Sequence, residues 1–281
     1  MKLLGVLIAV FAANFSLALS SNVKKVAVFG GTGYVGTAVC ERLVKKGFDV
    51  TAVSRRGTNP KPDDECLSQV KWVVGDATDP SICKKIVNDN DAVVHAIGLL
   101  FDVNSGLADL NKIVSGSGSL PGESSTYDAI TRGTMYNIID ASIAKSRFNS
   151  LTGKSKFPIC FVSAAEAGWP DVSLGPQVEE KLAPEWLKRY LEAKRSVEAK
   201  LSENSKTIRS VVFRPSLIWD FSKFDVLPAI PIFNLASALG VPFVDKTVRV
   251  ETLADAIVAG LEDEELSGVQ RFMQMEELAK R

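Results

Sequence analysis

Gly30, Gly33 and Gly36 recur at three-residue spacing in GGTGYVG, directly after the apolar run VAVF and directly before a segment of helical periodicity. Glycines at that spacing suit a sharp strand-to-helix turn in which the backbone must approach a ligand with no Cβ in between. Gly31 adds one more small residue. Tyr34 and Val35 would open the helix, whose amino terminus would face a pyrophosphate. The strand, glycine turn, helix context is what a dinucleotide requires, and that is the expectation for residues 26–39. The plainer alternative is a glycine turn that only packs.

At the end of the second apolar run, an acidic residue would bind the adenosine ribose of NAD. Here the run ends in Ser54, Arg55, Arg56 and Gly57. Guanidinium groups grip a phosphate through charge-assisted hydrogen bonds, and residues 21–62 carry eight lysines or arginines against two acids. The expected cofactor is therefore NADP, with NAD as the alternative. A solvated basic face would explain the same residues without any ligand.

Tyr190 and Lys194 stand four apart in RYLEAKRSVEAKL, one helical turn from each other on one face. A tyrosine hydroxyl can give or take a proton at a carbonyl or alcohol oxygen, and a neighbouring ammonium would lower its pKa. Ser163 closes the run FPICFVS, where its hydroxyl would hold the reacting oxygen outside the carboxyl end of a strand. Alone, Y-x-x-x-K is a common accident. Together with the glycine turn it reads as a catalytic set of Ser163, Tyr190 and Lys194.

These residues need a scaffold. Apolar runs at 26–30, 48–54, 70–75, 91–98, 157–163 and 208–215 alternate with helical patterns at 33–46, 79–89, 124–145 and 184–204. Such βα alternation, with strands apolar on both faces, predicts an α/β fold with a doubly wound parallel sheet. The expected organisation is a leader or anchor over 1–20, a nucleotide-binding domain over 23–215, and a small substrate-side lobe over 216–281. In that lobe LPAIPIFNLASALG is ordinary core or a hydrophobic entrance for a lipid-like ligand or membrane. The stretches 102–125 and 147–156 interrupt the pattern as long loops.

Composition excludes several classes. The 281 residues carry 33 lysines and arginines against 33 acids, so nothing global steers the chain to nucleic acid. With 46% hydrophobic residues the chain is globular, not disordered. Four scattered cysteines, with no C-x-x-C pair, and a single histidine, His95, argue against a metal site. His95, at the end of the fourth run, is a packed residue or a group touching substrate or ribose. The acidic LEDEEL at 261–266 reads as a solvated helix end.

The one long apolar run, residues 3–20, follows Lys2 and ends in Ala18, Leu19, Ser20, as a signal peptide does; a retained anchor is the alternative. Entry into the secretory pathway, or through it into a plastid, is the expected route. The first arginine is Arg42, unlike an arginine-rich mitochondrial presequence.

GGTGYVG, GDA at 75–77, FVSAA, YLEAK and RPSLIW occur in that order over nearly all of residues 23–281. In them the chain resembles an atypical extended short-chain dehydrogenase/reductase. It is most similar to the subgroup that includes a coenzyme Q biosynthesis-complex protein and a plastoglobule Rossmann protein, and more distantly the complex I nucleotide-binding subunit; mitochondrion is the location that resemblance implies. The resemblance implies that Asp76 and Ala77 contact the adenine, that Ala96 and Gly98 line the nicotinamide side, and that Lys194 also holds the ribose. Arg214 and Pro215 match the RP after the sixth strand. One departure is Thr131 in AITRGT, where these families carry an asparagine. The implied activity is hydride transfer with an isoprenoid or quinone-like substrate; the alternative is a non-catalytic subunit in a membrane-associated quinone-biosynthesis or respiratory complex.

Overall fold

A computed structural model describes residues 24–111, 122, 124–150, 156–220, 229–241 and 244–281. The leader expected over 1–20 lies outside these residues, as does much of the two expected long loops. Seven parallel strands form one sheet: β1 (Lys25–Phe29), β2 (Asp49–Ser54), β3 (Lys71–Val74), β4 (Ala92–His95), β5 (Phe157–Val162), β6 (Ile208–Phe213) and a last strand, β9 (Gly268–Gln270). Their order is β3-β2-β1-β4-β5-β6-β9. Chain direction across the sheet therefore reverses between β1 and β4, which opens a crevice at their carboxyl ends.

Alternation along β1 shows why the strands are apolar throughout. Val26 and Val28 enter the core on one face, with Val39 and Leu43 of α1 (Tyr34–Lys45) and Ile257 of α8 (Val250–Glu262). Ala27 and Phe29 enter the core on the other face, with Ile138 of α4 (Thr134–Ser150) and Val197 of α6 (Glu185–Glu203). Every one of these residues is at most 2% exposed. Burying each of the larger side chains contributes about 1.5–3 kcal/mol.

Local chemistry sets the helix ends. Asp79 caps α3 (Pro80–Asp89) by accepting the Ser81 N–H at 2.7 Å, and Pro80 supplies a first-turn φ at no cost in hydrogen bonds. At the other end of α8, buried Arg209 of β6 donates to the carbonyls of Gly260, Leu261, Asp263 and Leu266 at 2.8–3.1 Å. A cation thus satisfies the carbonyls that a helix leaves bare at its carboxyl end.

The span 216–281 is not wholly a lobe. Strands β7 (Ile218–Trp219) and β8 (Val248–Arg249) pair in a small separate sheet beside α7 (Ala229–Ala238). Helix α8 and β9 instead complete the main sheet and its core, because α8 carries nine buried residues and β9 hydrogen-bonds to β6. Short segments missed by periodicity are α2 (Glu65–Ser68), α5 (Gly175–Leu182) and α9 (Phe272–Leu278). Among the described residues no helix is long and apolar enough to cross a membrane, and no group of side chains could hold a metal ion.

Candidate active site

The glycine turn runs from the end of β1 into α1. Gly30 has φ +84°, and a Cβ there would stand 2.9 Å from the Ala96 backbone at the end of β4. A Cβ on Gly36 would meet the Gly30 carbonyl oxygen at 2.1 Å, so the first turn of α1 lies directly on the loop before it. Gly31 packs against Ala52 of β2, and Gly33 is the N-cap residue, with no side chain capping the helix. The first helical bond is Thr37 N–H to the Gly33 carbonyl at 2.9 Å. The N–H groups of Tyr34, Val35 and Gly36 therefore lack intrahelical acceptors, and no acid lies in that turn. This cradle fits a pyrophosphate.

The other expected nucleotide contacts line the same edge. Ser54, ending β2, accepts the Gly57 N–H at 3.0 Å, and Arg55 and Arg56 are exposed beyond it. Asp76 is folded onto Thr78, accepting its N–H and hydroxyl at 2.9 and 2.8 Å. Ala77 is buried, Ala96 extends β4 by donating to Phe29, and Gly98 is exposed.

Ser163, Tyr190 and Lys194 meet at the end of β5, but not as the spacing suggests. Lys194 is 2% exposed and donates to the Val162 carbonyl at 2.8 Å. Its ammonium lies over the Phe161 ring at 4.9 Å and over the Tyr190 ring at 5.6 Å. Burial pushes its pKa down to about 8, against an opposing pull from Glu198. The Tyr190 hydroxyl is raised, not lowered: burial dominates, and Glu166 and Tyr127 add to it. The expected lowering by Lys194 fails because the ammonium faces the ring, while the carboxyl of Glu166 acts on the hydroxyl. Tyr190 is thus a neutral phenol, a proton donor.

Ser163 is held by a residue the spacing argument passed over. Its Oγ donates to Glu198 at 2.5 Å, and Arg214 clamps that carboxylate through Nε at 3.1 and 3.2 Å and Nη2 at 2.5 Å. His95, buried beside Phe161, meets the Thr134 hydroxyl through Nε2 at 2.9 Å. Since Thr134 donates to the Ile130 carbonyl at 2.6 Å, Nε2 carries the proton, and Nδ1 is a buried acceptor with no partner. Burial, then Lys194, pushes the His95 pKa down to about 3.

Residues 26–115 match the NAD dependent epimerase/dehydratase family. Among solved structures, 3-ketoacyl-(acyl-carrier-protein) reductase from Brucella melitensis, complexed with NADH, aligns with a TM-score of 0.60 at 16% identity, over 88% of this chain and 94% of that one. The match is thus to that family over residues 26–115, and the fold of the whole sheet is the Rossmann-like α/β fold of the epimerase and reductase structures. MIOREX complex component 2 of Saccharomyces cerevisiae is 24% identical over 70% of this chain and 74% of its own length. A chloroplastic Arabidopsis thaliana protein is 38% identical over 68 residues, 24% of this chain and 23% of its own. Other solved structures of the fold hold NAD or NADP.

Against the Rossmann family's pattern, Thr131 falls in a six-residue π-helical turn, Asp128–Gly133, fully buried with its hydroxyl unpartnered. Such turns recur at functional sites. Several wall residues were not legible beforehand. Tyr127 stands edge-on to Tyr190 at 5.7 Å, and Phe101 edge-on to Trp186 at 4.8 Å. Arg189 pairs with buried Asp102 at 3.5 Å, tying the segment after β4 to α6. Glu198 alone had a signal in the sequence, because it is the next four-residue step after Tyr190 and Lys194.

Proposed function

We propose that this Rossmann protein binds NADP(H) across the carboxyl ends of β1, β2 and β4 and works as an oxidoreductase on a carbonyl, alcohol or quinone-related group, with reduction as its favoured direction. The observation that carries the reading is the convergence on one sheet edge of a glycine cradle with three backbone N–H groups lacking intrahelical acceptors and a neutral tyrosine beside a buried lysine. When bound, the nicotinamide supplies the hydride. Tyr190 gives its hydroxyl proton to the oxygen that becomes an alcohol. Lys194, held on β5, keeps a positive charge near that oxygen and beside the ribose. Ser163 orients the reacting group, and Gly98 and Ala96 border it.

Exposed Arg55 and Arg56 support a preference for the 2′-phosphate of NADP. A lipid-like substrate is supported by the apolar helix α7, with Leu235 on it 61% exposed and Leu239 directly after it 74% exposed. An organelle location, reached through the amino-terminal apolar segment, fits the chloroplastic name of the Arabidopsis relative.

A second reading rests on Thr131. With no asparagine at that point of the relay, the chain would bind nucleotide as a subunit of a membrane-associated complex without turning anything over, and the yeast relative is named as a complex component. One experiment separates the readings: NADPH and NADH are titrated by fluorescence, and NADPH oxidation is then followed with a panel of ketones and quinones in wild type and Tyr190→Phe. Turnover lost in Tyr190→Phe with NADPH affinity kept supports the enzyme. Binding without turnover in either supports the subunit, and no binding at all refutes both.

A further inference from the structure

Tyr190, Lys194 and Glu198 lie on one face of α6 at successive four-residue steps, and Glu198 is the pivot between two groups of the candidate site. On one side its carboxylate accepts a hydrogen bond from the Ser163 hydroxyl at 2.5 Å. On the other it is held by Arg214, which is paired in turn with Asp171 at 3.3 Å. Room is built for that clamp: a Cβ on Gly168 would lie 2.7 Å from Arg214 Nη1. Both carboxylate and guanidinium are nearly buried, with side chains 10% and 12% exposed. An arrangement that desolvates an ion pair at this depth is expensive unless it fixes something.

We propose that Glu198 is a positioning residue of the reductase site, holding the Ser163 hydroxyl proton so that Ser163 meets the substrate oxygen as a hydrogen-bond acceptor, and setting a carboxylate one helical turn from Lys194. A site of this polarity offers one donor, Tyr190, and one acceptor, Ser163, to the same oxygen. A carbonyl can use only the donor, whereas a hydroxyl can use both. The inference rests on the oxidoreductase reading and extends it: the substrate class is one that presents a hydroxyl, whose proton is donated to Ser163.

The charged and titratable groups around Lys194 come from four elements. Tyr190 and Glu198 share α6 with it, His95 faces it from β4, Arg214 follows β6, and Asp171 lies behind Arg214 on the turn Ala165–Asp171. His95 is neutral and Arg214 is committed to carboxylates, which leaves Glu198 as the group that favours the ammonium.

The test uses the full nucleotide-free chain with 13Cε-labelled lysine. The Lys194 resonance is displaced by the rings of Phe161 and Tyr190 and is identified by its loss in Lys194→Arg. Wild type is expected to titrate with a midpoint of about 8. Glu198→Gln should lower the midpoint by about one pH unit, because an opposite charge at close range is removed. Glu198→Asp, which keeps the charge, should restore most of it. Ser163→Ala should move it the other way, by less, since Glu198 then loses a hydrogen bond that spreads its charge. An unchanged midpoint in Glu198→Gln, or Glu198→Asp behaving as Glu198→Gln, overturns the proposal; no shift in Ser163→Ala overturns the link to Ser163. None of these readings needs nucleotide, so a failure of NADPH to bind counts against the oxidoreductase reading alone.

Discussion

Replacing Gly36 by alanine puts the nucleotide cradle to a geometric test. The added Cβ would fall 2.1 Å from the Gly30 carbonyl oxygen, 2.8 Å from its carbonyl carbon and 2.9 Å from Gly31 Cα. All three are backbone atoms, so no side-chain rotation relieves the overlap. Ordinary contact begins near 3.4 Å, so α1 and the turn must part by about 1.3 Å. The strain costs about 1–3 kcal/mol, of which the better helix propensity of alanine returns about 1. The effect on ligand is larger than that on stability, because an N–H···O bond stretched by more than 1 Å is lost. Each charge-assisted bond contributes about 1.5–3 kcal/mol, so losing one weakens NADPH at least about tenfold. Gly47→Ala is the control: Gly47 has φ +85° with no atom within 4 Å of a Cβ, so the substitution should cost about 1–2 kcal/mol of stability and leave affinity unchanged. Fluorescence titration and thermal melting read both quantities. A folded Gly36→Ala protein that binds NADPH within twofold of wild type would refute the assignment of this turn to the pyrophosphate.

Three further outcomes follow from the same geometry. Arg55→Ala with Arg56→Ala should weaken NADPH much more than NADH in the same titration; equal losses would remove the basis for an NADP preference. Arg209→Met should cost about 3 kcal/mol and lower the melting temperature by several degrees, because the carbonyls at the end of α8 lose their buried donor. His95, whose pKa is pushed from 6.5 to about 3, binds a proton in the unfolded chain before it does in the folded one. Stability should therefore fall as pH drops from 6.5 toward 3, and His95→Asn should flatten that part of the curve measured by chemical denaturation.

Much of the architecture was written in local pattern. Short continuous apolar runs rich in β-branched and aromatic residues, such as VAVF and FPICFV, fit strands buried on both faces, and their alternation with helical periods points to a parallel sheet. The glycine turn was legible for the same reason: steric demands at Gly30 and Gly36 act between residues at most a few positions apart, or against the next strand, so residue type reports them directly. Asp79 with Pro80 announced its helix through hydrogen bonds within one turn.

What the sequence could not settle was decided by contacts between distant segments. Strand β9 is three residues long and becomes the seventh strand only because β6 has a free edge. The Tyr190 hydroxyl depends on its surroundings in space: Lys194, close in sequence, meets the ring face, while burial above all, and then Glu166 and Tyr127 from other elements, raise its pKa. Ser163 is 35 residues from Glu198 and still further from Arg214, so its role as donor or acceptor is set by the packing of β5 against α6 and the end of β6. Residue types and short spacings determined which chemistry is within reach. Burial and long-range charge, which exist only once the layers have packed, determined the protonation states with which it would be done.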